Sequence, residues 1–308
     1  RIGITANWIW SIYAGLTGAL IILLMLGGMD VFDSICHAFA TTGTGGFSTK
    51  QASIEFYHSP YIEYVISIFM FVSGINFTLL LLFVNGKFRK FIHDAELKWY
   101  LWSVIGFTAF IAIVLYYNSS MGVEEAFRKS LFQVASLHTS TGFATADYMT
   151  WPSVLWGTLT VIMIIGACAG STTGGMKCIR LLILAKISRN EFKHITHPNA
   201  VLPVRVNKQV ISPSIRSTVL AFSFLYAVLI IVGTLAMMGM GVGLLESLGC
   251  TISSLGNMGP GLGLCGPAYS WNELPDMGKW LMSFFMLLGR LELFTVLLLF
   301  SSDFWKKN

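Results

Sequence analysis

Charge is what this sequence has least of. Only 11% of its 308 residues are charged while 55% are hydrophobic, against roughly 25% charged in an ordinary water-solvated domain. A surface that faces water all round is excluded. Cysteine is sparse too: Cys36, Cys168, Cys178, Cys250 and Cys265 are odd in number and show no paired metal spacing. Neither a zinc centre nor a structural disulfide is expected from them. Catalytic constellations are missing as well. No acid pair or Ser/His arrangement stands out, and His37 and His138 lack metal-ligand spacing, so both read as satisfied polar residues. The run from Gly170 to Lys177 has the glycines of a phosphate loop, but Met176 separates Gly175 from Lys177 and Cys178 follows. The pattern needs Gly-Lys followed by Ser or Thr, so no nucleotide-using enzyme is expected. No signal-peptide pattern precedes the first apolar run and the first residue is Arg1. The chain reads as cut at its front.

What is there is apolar length. Runs near 8–28, 61–84, 98–117, 153–187, 217–243 and 278–300 approach or exceed the roughly 20 residues needed to cross a hydrocarbon core. The net charge of +5 follows from where the cations fall, with no nucleic-acid partner implied. Lys87, Arg89, Lys90 and Lys98 fill one connection; Arg180, Lys186, Arg189, Lys193, Arg205, Lys208 and Arg216 fill another. The positive-inside rule makes both cytoplasmic. Asp30, Asp33, Glu55, Glu124, Glu125, Asp147, Glu273 and Asp276 mark the connections facing outward, where they attract cations.

Each outward connection holds a short amphipathic run and then a small, hydroxyl- and glycine-rich loop. The loops are Thr41 to Thr49, His138 to Thr145 and Ser253 to Gly261, and glycines 46, 142 and 256 are matched. Such loops often only turn a corner. Three in the same topological slot instead form a repeat of span, half-helix, loop, span. With two cytoplasmic returns the units are parallel, related by an axis along the membrane normal. Three units leave the ring open, and a fourth is expected ahead of Arg1. The expected division is a second pore unit over 1–85, a third with a broken helix over 86–190, a basic cytoplasmic connection over 191–216 and a fourth unit over 217–308. The fold class is an all-α polytopic membrane protein with helix–pore loop–helix units around a central ion pore.

Ser73–Phe77, Gly166–Gly170 and Gly289–Leu293 occupy matching places in the outgoing spans. In the middle unit Gly170, Gly174 and Gly175 each cost about 1 kcal/mol in a helix, so the helix breaks there. Arg290 lies in an otherwise apolar span, where arginine costs at least about 2.5–3.5 kcal/mol at the bilayer centre. Packed inward, it meets the carbonyls of the broken segment; the alternative is a structural salt bridge to a carboxylate on another helix.

Taken together, Phe39–Thr49, His138–Thr145, Gly170–Lys177 and Gly289–Glu292 resemble the potassium-translocating subunits of the TrkH/TrkG/KtrB superfamily, over essentially the whole chain and its last three of four units. The resemblance implies a potassium pore. Gly46, Gly142 and Gly256 would be filter glycines, with Thr44, Gly45, Ser140, Thr141, Ser254, Leu255 and Asn257 completing the potassium-binding filter. Gly170, Ser171, Thr172, Thr173, Gly174, Gly175 and Lys177 would form a gating loop, and Arg290 would be the pore-facing arginine that works with it. It further implies a homodimer in the bacterial inner membrane, seated on a ring of TrkA-like nucleotide-binding subunits that dock on the basic connection. Potassium is the expected ion and no organic cofactor is expected. The rivals are a sodium-permeable relative and a proton- or sodium-coupled symporter, the latter kept open by Glu292, because buried acids relay protons.

Overall fold

A computed structural model describes residues 2–306, and the order of elements repeats three times. The first unit has a long helix α1 (Ile2–Leu26), a half-helix α2 (Val31–Thr42), and an outgoing pair α3 (Pro60–Ser73) and α4 (Phe77–Val84). A short α5 (Phe88–Ile92) leads to the second unit: α6 (Ala95–Asn118), α7 (Val123–His138), α8 (Ser153–Ile164) and α9 (Cys178–Thr196). A small antiparallel hairpin, β1 (Arg205–Val206) and β2 (Gln209–Val210), precedes the third: α10 (Pro213–Gly239), α11 (Leu244–Gly256), α12 (Asp276–Arg290) and α13 (Leu293–Leu298). A final turn, α14, covers Ser302–Trp305.

Three described helices, α1 within Ala6–Leu26, α6 and α10, are individually long and apolar enough to span. They are the incoming helix of each unit. Every outgoing apolar run is broken, at the level where Ser73–Phe77, Gly166–Gly170 and Gly289–Leu293 were matched: α3 turns through 102° into α4, α8 stops at Ile164, and α12 gives way to α13 at Leu291 and Glu292. The sequence reading expected this only in the middle unit. Each break has a local cause. Gly74 packs so close to Tyr100 that a methyl group would strike the phenol oxygen, and Asn76 caps α4 by accepting from Thr78 N at 2.8 Å. Glu292 holds a positive φ of 67°.

The half-helices are short because they end inside protein. The threonine hydroxyls near their ends are buried and bond back along the helix, as Thr41 does to His37 O at 2.6 Å, Thr139 to Ala135 O at 2.7 Å and Thr251 to Ser247 O at 2.8 Å, whereas the buried Ser253 and Ser254 Oγ have no partner among the described residues. The threonine bonds satisfy polar groups that burial would otherwise penalise. The units repeat one relation: α3 of the first packs on the half-helix α7 of the second, and α8 of the second on the half-helix α11 of the third. The same helix-to-half-helix contact therefore joins each unit to the next.

One expectation is corrected. Cys250 and Cys265 form a disulfide, with Cα atoms 6.2 Å apart, while Cys36, Cys168 and Cys178 are free. Counting to an odd number hid the pair. The two sulfurs lie on the outward half of one unit, where oxidising conditions permit the bond, and the bridge closes over the turn that follows α11. Of the two histidines expected to be satisfied, His37 is, bonding Asp33 O at 2.7 Å and Ser48 Oγ at 2.9 Å, whereas His138 is satisfied only at Nε2, by Ser103 Oγ at 2.8 Å, and its buried Nδ1 has no partner among the described residues.

Candidate functional site

Each half-helix ends in the same backbone turn. Thr44, Ser140 and Asn257 adopt left-handed φ values of 51°, 53° and 54°, and two residues later Gly46, Gly142 and Gly259 are again positive, at 65°, 86° and 95°. The hydrogen bonds keep the same register. Thr44 N, Ser140 N and Asn257 N donate to Thr41 O, Leu137 O and Ser254 O, and Gly45 N, Thr141 N and Met258 N donate to Ala40 O, Ser136 O and Ser253 O. These are helix C-terminal turns of the left-handed kind.

This register corrects the glycine alignment of the third turn. Gly259, not Gly256, corresponds to Gly46 and Gly142. Ser254, Leu255 and Gly256 are the last residues of α11, which continues one turn further than its sequence suggested; Asn257 stands in the place of Thr44 and Ser140. Gly-Asn-Met-Gly offers two glycines, and it is the second, Gly259, that holds the positive φ. The readable signal was Asn257, since asparagine tolerates the left-handed region that ends a helix.

The turns meet one another. A methyl group on Gly46 would run into the carbonyl oxygen of Thr141, and one on Gly142 into that of Met258, the equivalent atom one unit on. All three register-matched glycines, 46, 142 and 259, line a single outward cavity of about 610 Å³ together with Ser48, Lys50 and Trp271. At its margin Asp33 accepts from Thr49 Oγ1 at 2.7 Å and from Tyr57 OH at 2.7 Å, with Lys50 Nζ at 3.1 Å. Thr49 first, then Tyr57 and Lys50, hold that carboxyl down at about 2.

Beneath the turns lies the broken segment of the second unit. Its stem is pinned by Gly166 N to Met176 O at 2.8 Å and Cys178 N to Ala167 O at 3.0 Å. The break of the first unit clasps its entry, through Cys168 N to Gly74 O at 3.0 Å and Phe77 N to Gly170 O at 3.1 Å. The tip docks on the undersides of the turns: Thr44 Oγ1 donates to Thr172 O at 3.0 Å, Thr172 Oγ1 to Thr42 O at 3.2 Å, and Gly174 N to Ser140 Oγ at 2.6 Å. A methyl group on Gly174 would strike Gly256 O.

Two cations hold the tip from below. Arg290 Nη1 donates to Thr172 O at 2.9 Å, and Lys177 Nζ donates to Thr173 O. The arginine thus meets a loop carbonyl and not a carboxylate. Arg180 takes up Glu292 as an ion pair. Gly170 to Gly175, Lys177, Arg180, Arg290 and Glu292 line a lower cavity of about 270 Å³. The structure therefore brings Thr44, Gly45, Gly46, Ser140, Thr141, Gly142 and Asn257 together above Thr172–Gly174, with Arg290 and Lys177 below. Met258 and Gly259 were missed by the sequence reading, and so was Glu96, whose carboxylate reaches the stem.

Aligned turns enclosing one outward cavity, closed from below by a re-entrant loop, define a multi-pass membrane protein built on pore loops. The family model described as TrkH, a cation transport protein, matches residues 1–307, and the chain belongs to that family. It is 37% identical over 313 aligned residues to the Trk system potassium uptake protein TrkH of Escherichia coli K12, covering 100% of this chain and 64% of that protein. It is 35% identical to the Trk system potassium uptake protein TrkG of the same organism, covering 99% and 63%. The crystal structure of the potassium transporter TrkH from Vibrio parahaemolyticus superposes with a TM-score of 0.94 at 34% identity, over 99% of this chain and 66% of that one. The chain thus spans just under two thirds of the relatives it matches. Membership of a cation transport family agrees with the expectation that Gly170 to Lys177 is no phosphate loop and that the chain is no enzyme.

Proposed function

We propose that this chain forms most of a potassium-conducting pore in the bacterial inner membrane, filtered by the turns at 44–46, 140–142 and 257–259 and gated by the loop 170–175. The observation that carries the reading is the shared outward cavity lined by Gly46, Gly142 and Gly259, with the loop tip bonded directly beneath. Relatives named as potassium uptake proteins supply the ion.

The physics runs from the helices inward. Each half-helix points its carboxyl end, carrying about half a negative charge, toward the space below the turns, which favours a cation there. Left-handed φ at 44, 140 and 257 and again at 46, 142 and 259 turns successive peptide oxygens out of the helical direction. Oxygens freed this way replace the water shell of an entering ion. Thr172 and Thr173 sit across the path with Arg290 and Lys177 behind them, so passage requires the tip to leave its hydrogen bonds to Thr44, Thr42 and Ser140. The proposed division into units keeps the boundary at 85, while 190 falls within α9 and 216 within the first turn of α10, so the connection between the second and third units is shorter than the expected 191–216. A homodimer and a cytoplasmic nucleotide-binding ring complete the proposal for the whole protein.

The test is rubidium uptake by the full-length protein in proteoliposomes under an imposed voltage. Flux that follows voltage and prefers potassium and rubidium over sodium supports the reading. Flux that follows a pH or sodium gradient at zero voltage, or that fails to discriminate sodium, refutes it.

A further inference from the structure

The loop under the turns is held at both ends of its stem by a side chain that belongs to neither the loop nor a half-helix. Glu96, in the first turn of α6, is buried, and its Oε1 accepts from Ala169 N at 2.6 Å and from Ile179 N at 3.2 Å. Ala169 is where the chain leaves the stem. Ile179 stands in the first turn of α9, whose N-cap residue Lys177 provides no capping side chain. One oxygen from α6 therefore caps α9 and pins the entry to the loop. Bonds from N–H groups to a carboxylate are about twice as strong as neutral ones.

The same turn of α6 is held from the cytoplasmic side. Asn207, at the tip of the β1–β2 hairpin, donates from Nδ2 to Asp94 Oδ2 at 2.6 Å and accepts from Ala95 N at Oδ1 at 2.8 Å. Asp94 is the N-cap of α6, bonding Leu97 N at 2.9 Å. Asn207 and Lys208 hold φ values of 48° and 67°, the two-residue hairpin turn that asparagine suits. Val206 of the hairpin shares one apolar cluster with Leu182, Ile183 and Val219, against which Ala95 and Ile179 pack. One helical turn, Asp94 to Leu97, lies between the hairpin tip and the loop stem.

We propose that Glu96 is a positioning residue that couples the seating of the cytoplasmic hairpin on α6 to the position of the intramembrane loop. Lifting Asn207 off Asp94 and Ala95 frees the first turn of α6, and with it the grip on Ala169 and Ile179. The inference rests on reading residues 170–175 as the gate only for its consequence on flux; the coupling itself is structural.

Cys168 and Cys178 flank the two gripped amides and are fully buried, whereas Cys36 is half-buried and lies elsewhere. Labelling of the full-length protein with N-ethylmaleimide, read site by site by mass spectrometry with Cys36 as reference, therefore reports the grip. Losing hydrogen bonds to a charged group should raise labelling of Cys168 and Cys178 about tenfold in Glu96→Ala. Glu96→Gln retains an oxygen at the same place without the charge and should fall between the parent and Glu96→Ala, about threefold above the parent. Asn207→Ala should accelerate the same two cysteines by a smaller factor, and the double variant should label no faster than Glu96→Ala alone. The coupling is overturned if Glu96→Ala leaves both cysteines protected, if Glu96→Gln labels as fast as Glu96→Ala, or if the two effects multiply. Should Glu96→Ala fail to fold, Asn207→Ala decides: faster labelling at unchanged Cys36 supports the coupling, and unchanged labelling overturns it. Labelling as expected with rubidium flux identical in every variant supports the coupling and removes the gate reading instead.

Discussion

The outgoing spans of the three units break at one level but not in one way. The first turns within Gly74–Asn76 and the third within Leu291–Glu292, each tight enough that the next helix starts at once. The second opens from Ile165 to Lys177 and sends its tip under the turns of two other elements. Glycine content explains the difference. A single residue such as Gly74 serves a close approach, whereas Gly166, Gly170, Gly174 and Gly175 leave a segment with no helical preference and enough length to reach the axis. A common scaffold thus carries one long unwound segment, the gate of the proposed function, and the two short breaks hold it: Gly74 and Phe77 from one side, Arg290 from the other.

The turns above show a similar split, and glycine replacements sharpen it most. Gly142→Ala puts a methyl group both in a left-handed position and against Met258 O; flux should fall about a hundredfold, from backbone strain of about 1–3 kcal/mol and the clash together. Gly259→Ala meets open space and bears only the strain of φ 95°. A cost of about 1–2 kcal/mol predicts roughly tenfold. Gly256→Ala meets only the flexible end of Met258 and sits at a helical position, so flux should stay within about twofold. Rubidium uptake by the three variants at matched expression checks the order. A Gly256→Ala loss larger than that of Gly259→Ala would break the register.

Arg290→Ala tests the moving part against its clasp. It removes a charged donor from Thr172 O, worth roughly 1.5–3 kcal/mol, and should raise open-state flux about tenfold in single-channel or proteoliposome recordings. Unchanged flux and regulation would show that Thr42, Thr44, Ser140 and Lys177 hold the tip without it.

Much of this architecture was legible because it rests on long-range periodicity. Apolar runs, cation-rich returns and hydroxyl-rich half-helices announced three parallel units, and the likeness of Gly46-Phe47-Ser48-Thr49 to Gly142-Phe143-Ala144-Thr145 aligned two turns correctly. The third failed because Ser253–Asn257 carries weak helix formers, so α11 was expected to stop at Ile252, while tertiary packing carries it to Gly256. The Cys250–Cys265 bridge and the Asn207 hairpin depend on pairs set by folding. Glu96 looked like an ordinary acid near a helix start, and nothing local says that its partners lie beyond residue 168.

Smaller effects separate the outward faces of the units. Removing the disulfide by Cys250→Ser and Cys265→Ser releases a loop of 15 residues, worth about 3 kcal/mol. The thermal midpoint should drop by about 5–10 °C in detergent, with ion selectivity retained. At the first turn, Asp33 is held at about 2, below its ordinary 3.8. A depressed carboxyl contributes stability that is complete above the unfolded value and lost as pH falls from about 4 toward 2. Asp33→Asn should therefore lower the midpoint at pH 7 and make little difference near pH 2. An equal shift at both would show that Thr49, Tyr57 and Lys50 do not favour the charged form.

The central claim is that the turns at 44–46, 140–142 and 257–259 aim their peptide oxygens at one ion. Anomalous diffraction from crystals of the full-length protein grown in rubidium measures this directly. The account predicts a rubidium peak on the axis bounded by Gly46, Gly142 and Gly259, above Thr172. Rubidium bound only at the acidic outer margin, with none between the turns, would contradict it.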